Sequence, residues 1–183
     1  MQDKSTHVNP TVVIGIDNGI SGGICAISSH NGAVIGSIPM PTIKHNGKTE
    51  VDVLAVLRYV RGFLPQDVSV AIEEPLAHAK SSQAIRSMAL AFGMLYGACL
   101  AHGLPVARIA VRPWQDAMLG KKREAGMTKV LALAKANELA TDETWLATKR
   151  SSTPHDGMVD AFLIARYFLN NDKTSNTDMS TDS

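Results

Sequence analysis

Four carboxylates stand where a folded chain can bring them together. Asp17 follows the apolar run Val12–Ile16, and Glu73 closes a second run, Val68–Ile72. Asp156 and Asp160 lie four residues apart in a segment that becomes apolar at Phe162, Leu163 and Ile164, so one helical face carries both. Hard oxygen ligands without a cysteine or histidine cluster suit Mg²⁺, with Mn²⁺ as a substitute, rather than Zn²⁺. Two such ions at one site can activate a water on one side of a phosphodiester and stabilise the leaving 3′ oxygen on the other. Bound cations would also keep the carboxylates ionised. His155, beside Asp156, is a candidate to orient or deprotonate that water, and equally a surface histidine at a helix start.

Each acid also has a plainer reading. Asp17 precedes Asn18-Gly19 and suits an Asx turn after a strand. Glu73 suits a solvated loop. Thr153-x-x-Asp156 resembles a capping box, in which Asp156 favours the helix dipole. Asp160 lies beyond the first turn between Val159 and Ala161, where the like charge of Asp156 costs stability unless something positive sits between them.

These residues need elements to hold them. Thr11–Ile16, Gly22–Ser28 and Ala33–Ile38 read as strands, separated by the turn signals Asn18-Gly19 and Asn31-Gly32, which makes an antiparallel meander. A helical stripe follows over Val51–Phe63 and a central strand over Val68–Ile72. Ser81–His102 reads as a long apolar helix and Val106–Val111 as a fifth strand. Thr128–Leu139 reads as a helix with Thr128 as N-cap, and Pro154–Leu169 as a closing helix. No internal repeat interrupts this order. The expectation is an α/β fold with a five-stranded mixed sheet, its three antiparallel strands first, flanked by helices. A polar arm over 1–10 and a disordered tail over 170–183 bracket a single domain at 11–169.

The chain has 183 residues, 45% hydrophobic and 19% charged, which fits one globular domain and excludes general disorder or a fibrous fold. No apolar run approaches a bilayer span and the first ten residues lack a signal-peptide core, so no membrane partner is expected. Cys25 and Cys99 fall in apolar elements and read as reduced core thiols, implying a reducing compartment. The formal net charge of +1 decides nothing about nucleic acid, which needs local positive charge.

The residues resemble the RuvC-like Holliday-junction resolvases of the RNase H-like superfamily, most closely the type found in phages and plant chloroplasts. The resemblance rests on Gly15-Ile16-Asp17-Asn18-Gly19 with Gly22-Gly23, on Ala71-Ile72-Glu73-Glu74-Pro75, and on His155-Asp156-Gly157-Met158-Val159-Asp160-Ala161. Gly93-Met94-Leu95-Tyr96-Gly97, Gly103-Leu104-Pro105-Val106 and Arg112-Pro113-Trp114-Gln115 follow in the family's order, so it covers about residues 11–169. It implies an RNase H-like fold, a homodimer, and paired symmetric nicks across a four-way DNA junction. It places metal-binding acids at Asp17, Glu73 and Asp160. Bacterial members carry the remaining acid three residues before the last, which here is Gly157, whereas this chain offers Asp156 one residue earlier. They also carry a lysine near Gln115, so its phosphate contact passes to Lys121, Lys122 or Arg123. The loop after Glu73 implies an apolar wedge at Leu76, with loop packing as the alternative.

Lys121-Lys122-Arg123, and Lys129 near a helix N-terminus, are the main candidates for phosphate contact, with Lys80 and Arg86 beside them. Such contacts position DNA without reading its sequence. The apolar helix over 81–102 suits a dimer seam as well as a core. An RNase H-like nuclease acting on RNA or other branched DNA, and a non-catalytic nucleic-acid-binding module of the same fold, are the competing functions. A kinase-like nucleotide binder fits poorly, because it needs a second domain. The expected location is the cytoplasm of a bacterium or of a phage-infected host, with an organelle left open.

Overall fold

The computed structural model describes residues 11–64, 66–75 and 82–177. Strand β1 (Val12–Asp17) lies at the centre of a five-stranded sheet and is buried on both faces from Val12 to Ile16, which is why its sequence is a continuous apolar run. It pairs antiparallel with β2 (Gly23–Ser28), which pairs antiparallel with β3 (Val34–Pro39). On the other side β1 pairs parallel with β6 (Val68–Glu73), and β6 pairs parallel with β7 (Val106–Ile109). The order β3-β2-β1-β6-β7 is the expected mixed sheet with its antiparallel strands first in sequence.

Two cores form on the two faces. Ile14, Ile16, Ile24, Val70 and Ile72 pack under α1 (Val53–Arg61) and α2 (Ser82–Ala101). Val13, Cys25, Ile27 and Ala71 pack under α3 (Val111–Leu119), α4 (Thr128–Leu139) and α5 (Asp156–Thr177). The alternation of side chains along each strand sorts them between these layers. Cys25 and Cys99 are buried free thiols, as expected.

Several boundaries differ from expectation. Val51 does not begin a helix: it ends β5 (Lys48–Val51), which pairs with β4 (Thr42–His45) in a separate hairpin. Its turn is Asn46-Gly47, both at positive φ, the backbone that a tight two-residue hairpin turn demands. Helix α1 starts two residues later because the Asp52 side chain accepts from Ala55 N–H at 2.9 Å and caps it. The strand expected to Val111 stops at Ile109, and α3 begins there; Pro113 fits because it lies in that helix's first turn. Met127, not Thr128, is the N-cap of α4. Helix α5 starts at Asp156 rather than Pro154 and overruns Leu169 to Thr177; residues 170–177 contain no proline or glycine to stop it.

Helix α2 corrects a further expectation. Within Gln83–Ala101 an 18-residue stretch reaches a mean hydropathy of 1.5, long and apolar enough to cross a membrane by length and composition. Ser87, Gly93, Gly97 and a single charge, Arg86, break the apolar run yet leave the average high. Ala91, Leu95 and Cys99 face the core, while Leu90 and Leu100 are each 55% exposed.

Candidate active site

Asp17 and Glu73 end neighbouring parallel strands whose register pairs Ile16 with Ile72. The two acids therefore leave the sheet side by side, one strand spacing of about 4.8 Å apart. Helix α5 brings the third acid. It lies directly on β1, so a Cβ at Gly15 would come within 2.7 Å of the Ala165 backbone nitrogen. Its first turn presses onto the start of β2: Gly22 and Gly157 form a bridge, and a Cβ at Gly23 would sit 2.7 Å from Gly157 backbone carbon. Because Gly23 pairs with Asp17, this contact seats Asp160 beside the end of β1.

The same packing accounts for the shifted acid. Gly157 has no room for a side chain, since a Cβ there would run into the Gly22 backbone. A carboxylate in this turn must come from Asp156.

The acids differ in environment. Asp17 Oδ1 accepts from Gly19 N–H at 3.2 Å, so the Asx turn and a site role coexist in one residue. Burial raises its pKa to about 6 against the weaker pull of that hydrogen bond. Glu73 is pushed up to about 8, first by burial and then by Asp17 and Asp160, while a hydrogen bond from Trp114 opposes the rise. Trp114, fully buried, donates its indole N–H to Glu73 Oε1 at 2.7 Å. Asp160 is pushed up to about 7 by burial, then by Asp17 and Asp156, with Lys129 opposing. Asp156 is exposed and forms an ion pair with Lys129 Nζ at 2.5 Å, which raises the lysine's pKa. Lys129 on α4 thus supplies positive charge beside Asp156 and Asp160, where the sequence points to a divalent cation.

Asp17, Asp156, Asp160 and Lys129 line one cleft of about 420 Å³, together with Asn18 to Gly22 and with Ser87 and Met88 of α2. Glu73 is outside the residues lining the cleft; it is tied to Trp114 and lies near enough to Asp17 and Asp160 for their charges to raise its pKa. Among the described residues no three His, Cys, Asp or Glu side chains are already gathered to hold an ion. Glu73 gives an oxygen to Trp114, and Asp156 gives one to Lys129. The donor set still fits a hard divalent cation, because half-buried carboxylates whose neighbours push the pKa of Glu73 and Asp160 up are relieved by positive charge between them.

The other candidates scatter. His155 precedes α5, donates its backbone N–H to Trp145 O at 2.7 Å, and lies outside the residues lining the cleft. Arg123 is half-buried and turned inward: it pairs with Asp116 at 2.9 Å and donates to the Gln115 and Gly120 carbonyls. Gln115 is half-buried on α3, while Lys121 and Lys122 are exposed on the loop after it. Arg86 is exposed on α2. Lys80 and Leu76 lie outside the described residues. Sequence reasoning missed Trp114 and Asn18. Asn18 is buried and donates its side-chain amide to the Glu73 carbonyl, joining the ends of β1 and β6.

No family model and no curated protein matches the sequence. Solved structures do. Thermus thermophilus RuvC in complex with a Holliday junction substrate aligns with a TM-score of 0.59 at 18% identity, covering 90% of this chain and 96% of that one. A second Thermus thermophilus RuvC structure gives 0.51 at 20% identity over the same shares. The yeast mitochondrial Holliday junction resolvase Ydc2 gives 0.57 at 18% identity, covering 90% of this chain and 80% of that one. The mixed sheet between two helical layers is the RNase H-like fold of these RuvC structures.

Proposed function

We propose that the chain is a structure-selective DNA endonuclease that resolves four-way junctions by paired, symmetric nicks. What supports this reading most is that Asp17 and Glu73 end the paired strands β1 and β6, with Asp160 near enough to raise the pKa of Glu73, in a fold shared with a RuvC in complex with a Holliday junction substrate. Asp17, Glu73 and Asp160 would hold divalent cations, two Mg²⁺ per site with Mn²⁺ as substitute, and Asp156 supplies a further oxygen. When bound, the ions supply the charge that polarises the phosphodiester and acidifies the attacking water.

The chain's own residues do the rest. Trp114 and Asn18 hold Glu73 at its carboxylate and at its backbone, so one ligand is fixed before substrate arrives. Lys129 offers positive charge at the cleft for a DNA phosphate. Lys121 and Lys122 extend that charge along the loop before α4, where contacts would position the backbone without reading bases. Arg86, Gln115, Arg123 and Lys80 are assigned the same positioning role, and Leu76 the apolar wedge. In the reaction a water oxygen bonds to phosphorus as the P–O3′ bond breaks, leaving a 5′-phosphate and a 3′-hydroxyl. Two copies joined through the outer face of α2 would present one such site to each of two strands.

The deciding experiment is cleavage of a synthetic four-way junction beside duplex, flap and RNA–DNA hybrid controls, with products mapped on both strands. Paired ligatable nicks confined to the junction are expected. Preferential cutting of the hybrid or flap, or no cutting with Mg²⁺, overturns the reading.

A further inference from the structure

We infer that Asn18 is part of the cation site, contributing a neutral oxygen beside the carboxylates. The inference rests on the nuclease reading above and adds a residue to it. Asn18 is 1% exposed, the one polar or charged residue among the described residues to be fully buried, and it lines the cleft with Asp17, Asp156 and Asp160. Its two polar ends are treated differently. Nδ2 donates to the backbone carbonyl of Glu73, a partner that only a donor can satisfy, and this fixes which way the amide faces. Oδ1 is left buried with no hydrogen-bond partner. A buried acceptor without a donor costs stability, and native chains retain such groups where something else satisfies them.

The surroundings say what that something is. Asp17 precedes Asn18 in sequence, and the amide's other end is bonded to the residue carrying Glu73. Among the described residues lining the cleft, every charged group apart from Lys129 is an acid, and Lys129 is paired with Asp156. An acceptor among acids has no use for another anion. It suits a divalent cation or the water shell such a cation carries, because Mg²⁺ keeps several waters whose O–H groups need acceptors. The Nδ2 anchor prevents the amide from turning away, so the oxygen is set in place by the same bond that joins β1 to β6.

The test reads cation binding rather than cleavage. Full-length protein is titrated with Mn²⁺ alone, without DNA, and free Mn²⁺ is followed by its electron paramagnetic resonance signal. Asn18→Ala, Asn18→Asp and Asp160→Asn are compared with the unaltered chain, each checked for folding by circular dichroism. Asn18→Ala is expected to weaken Mn²⁺ binding about tenfold, the loss typical when a group supporting a metal site is removed. Asn18→Asp, which keeps an oxygen and adds charge but loses the amide donor that holds it, is expected to bind better than Asn18→Ala. Asn18→Ala within twofold of the unaltered chain, with Asp160→Asn losing binding, overturns the inference. If Asn18→Ala does not fold, Asn18→Asp decides: a loss as deep as that of Asp160→Asn means that Asn18 acts only as a strap between strands. Unchanged binding in Asp160→Asn would instead sink the carboxylate site itself.

Discussion

Lys129 Nζ lies 2.5 Å from Asp156 Oδ2, and the pair crosses from the first turn of α4 to the first residue of α5 at the mouth of the cleft. The side chains are 75% and 53% exposed, so the pair adds little to stability, less than about 1 kcal/mol. Its effect is on charge. Lys129 holds down the pKa of Asp160, against burial and two neighbouring acids. Lys129→Met is expected to leave the melting temperature nearly unchanged while moving the acidic limb of the cleavage–pH profile upward. A fall in Tm of many degrees, or an unmoved pH limb, contradicts this assignment.

Trp114→Phe keeps a ring in the core but removes the indole N–H that Glu73 Oε1 accepts. The carboxylate is left buried with one donor fewer, and the smaller ring leaves a gap. Together these cost about 2 kcal/mol. Since that hydrogen bond lowers the Glu73 pKa, its loss raises it further. Urea unfolding should report the destabilisation, and Mg²⁺ titration of the folded variant should show weaker binding at pH 7 than at pH 8.5. Equal binding at both values would mean that Glu73 is not among the ligands.

How much of this was legible depends on whether the signal was local. Asp17 and Glu73 announce themselves as acids closing apolar runs, and Asp156 and Asp160 by helical spacing. The partners that tune them come from distant segments: Trp114 reaches Glu73 from 41 residues away and Asn18 from 55. No spacing rule finds such pairs. The hairpin Thr42–Val51 was missed despite its Asn46-Gly47 turn, because its strands are short and mostly polar and an apolar helical stripe begins nearby. Lys121-Lys122-Arg123 reads as one basic run, yet the fold divides it, sending Arg123 inward to Asp116 and leaving two lysines exposed.

Gly157→Asp would place an acid where bacterial RuvC proteins carry one. Here its Cβ would meet the Gly22 backbone, and two main chains must separate to admit it. The expected result is destabilisation of 3 kcal/mol or so, at the upper end for overpacking, and no rescue of Asp156→Ala by the double substitution. Thermal melting of the single and double variants checks this. A stable, cleavage-competent Asp156→Ala, Gly157→Asp protein would show that the first turn of α5 can move away from β2.

The outer face of α2 carries Leu90 and Leu100 clear of the core. If this face joins two copies, Leu90→Glu with Leu100→Glu converts a dimer to a folded monomer, read by light scattering on a sizing column. Junction nicking should then lose its pairing, with single nicks accumulating before the second strand is cut. A wild-type chain that is monomeric at micromolar concentration, or one that co-sediments with lipid vesicles through this helix, points to another use of the face.

The acids also make stability depend on pH in a direction opposite to that of most carboxylates. Without a cation, Asp17, Asp160 and Glu73 have pKa values of about 6, 7 and 8, above the ordinary 3.8, 3.8 and 4.5. The folded chain therefore binds more protons than the unfolded chain between about pH 4 and pH 8, and the slope of unfolding free energy with pH is negative there. Their contribution is fully present below pH 4 and is lost as pH rises through 6 to 8. In EDTA the melting temperature should fall across pH 6 to 8.5. Mg²⁺ binds the ionised form, so the rise in Tm that it produces should be small at pH 5 and grow toward pH 8.5. Asp160→Asn removes one of these titrations and should flatten both trends. A Mg²⁺ effect independent of pH, or an EDTA melting curve that climbs with pH over this window, would mean that the three carboxylates are not held together at the edge of the sheet.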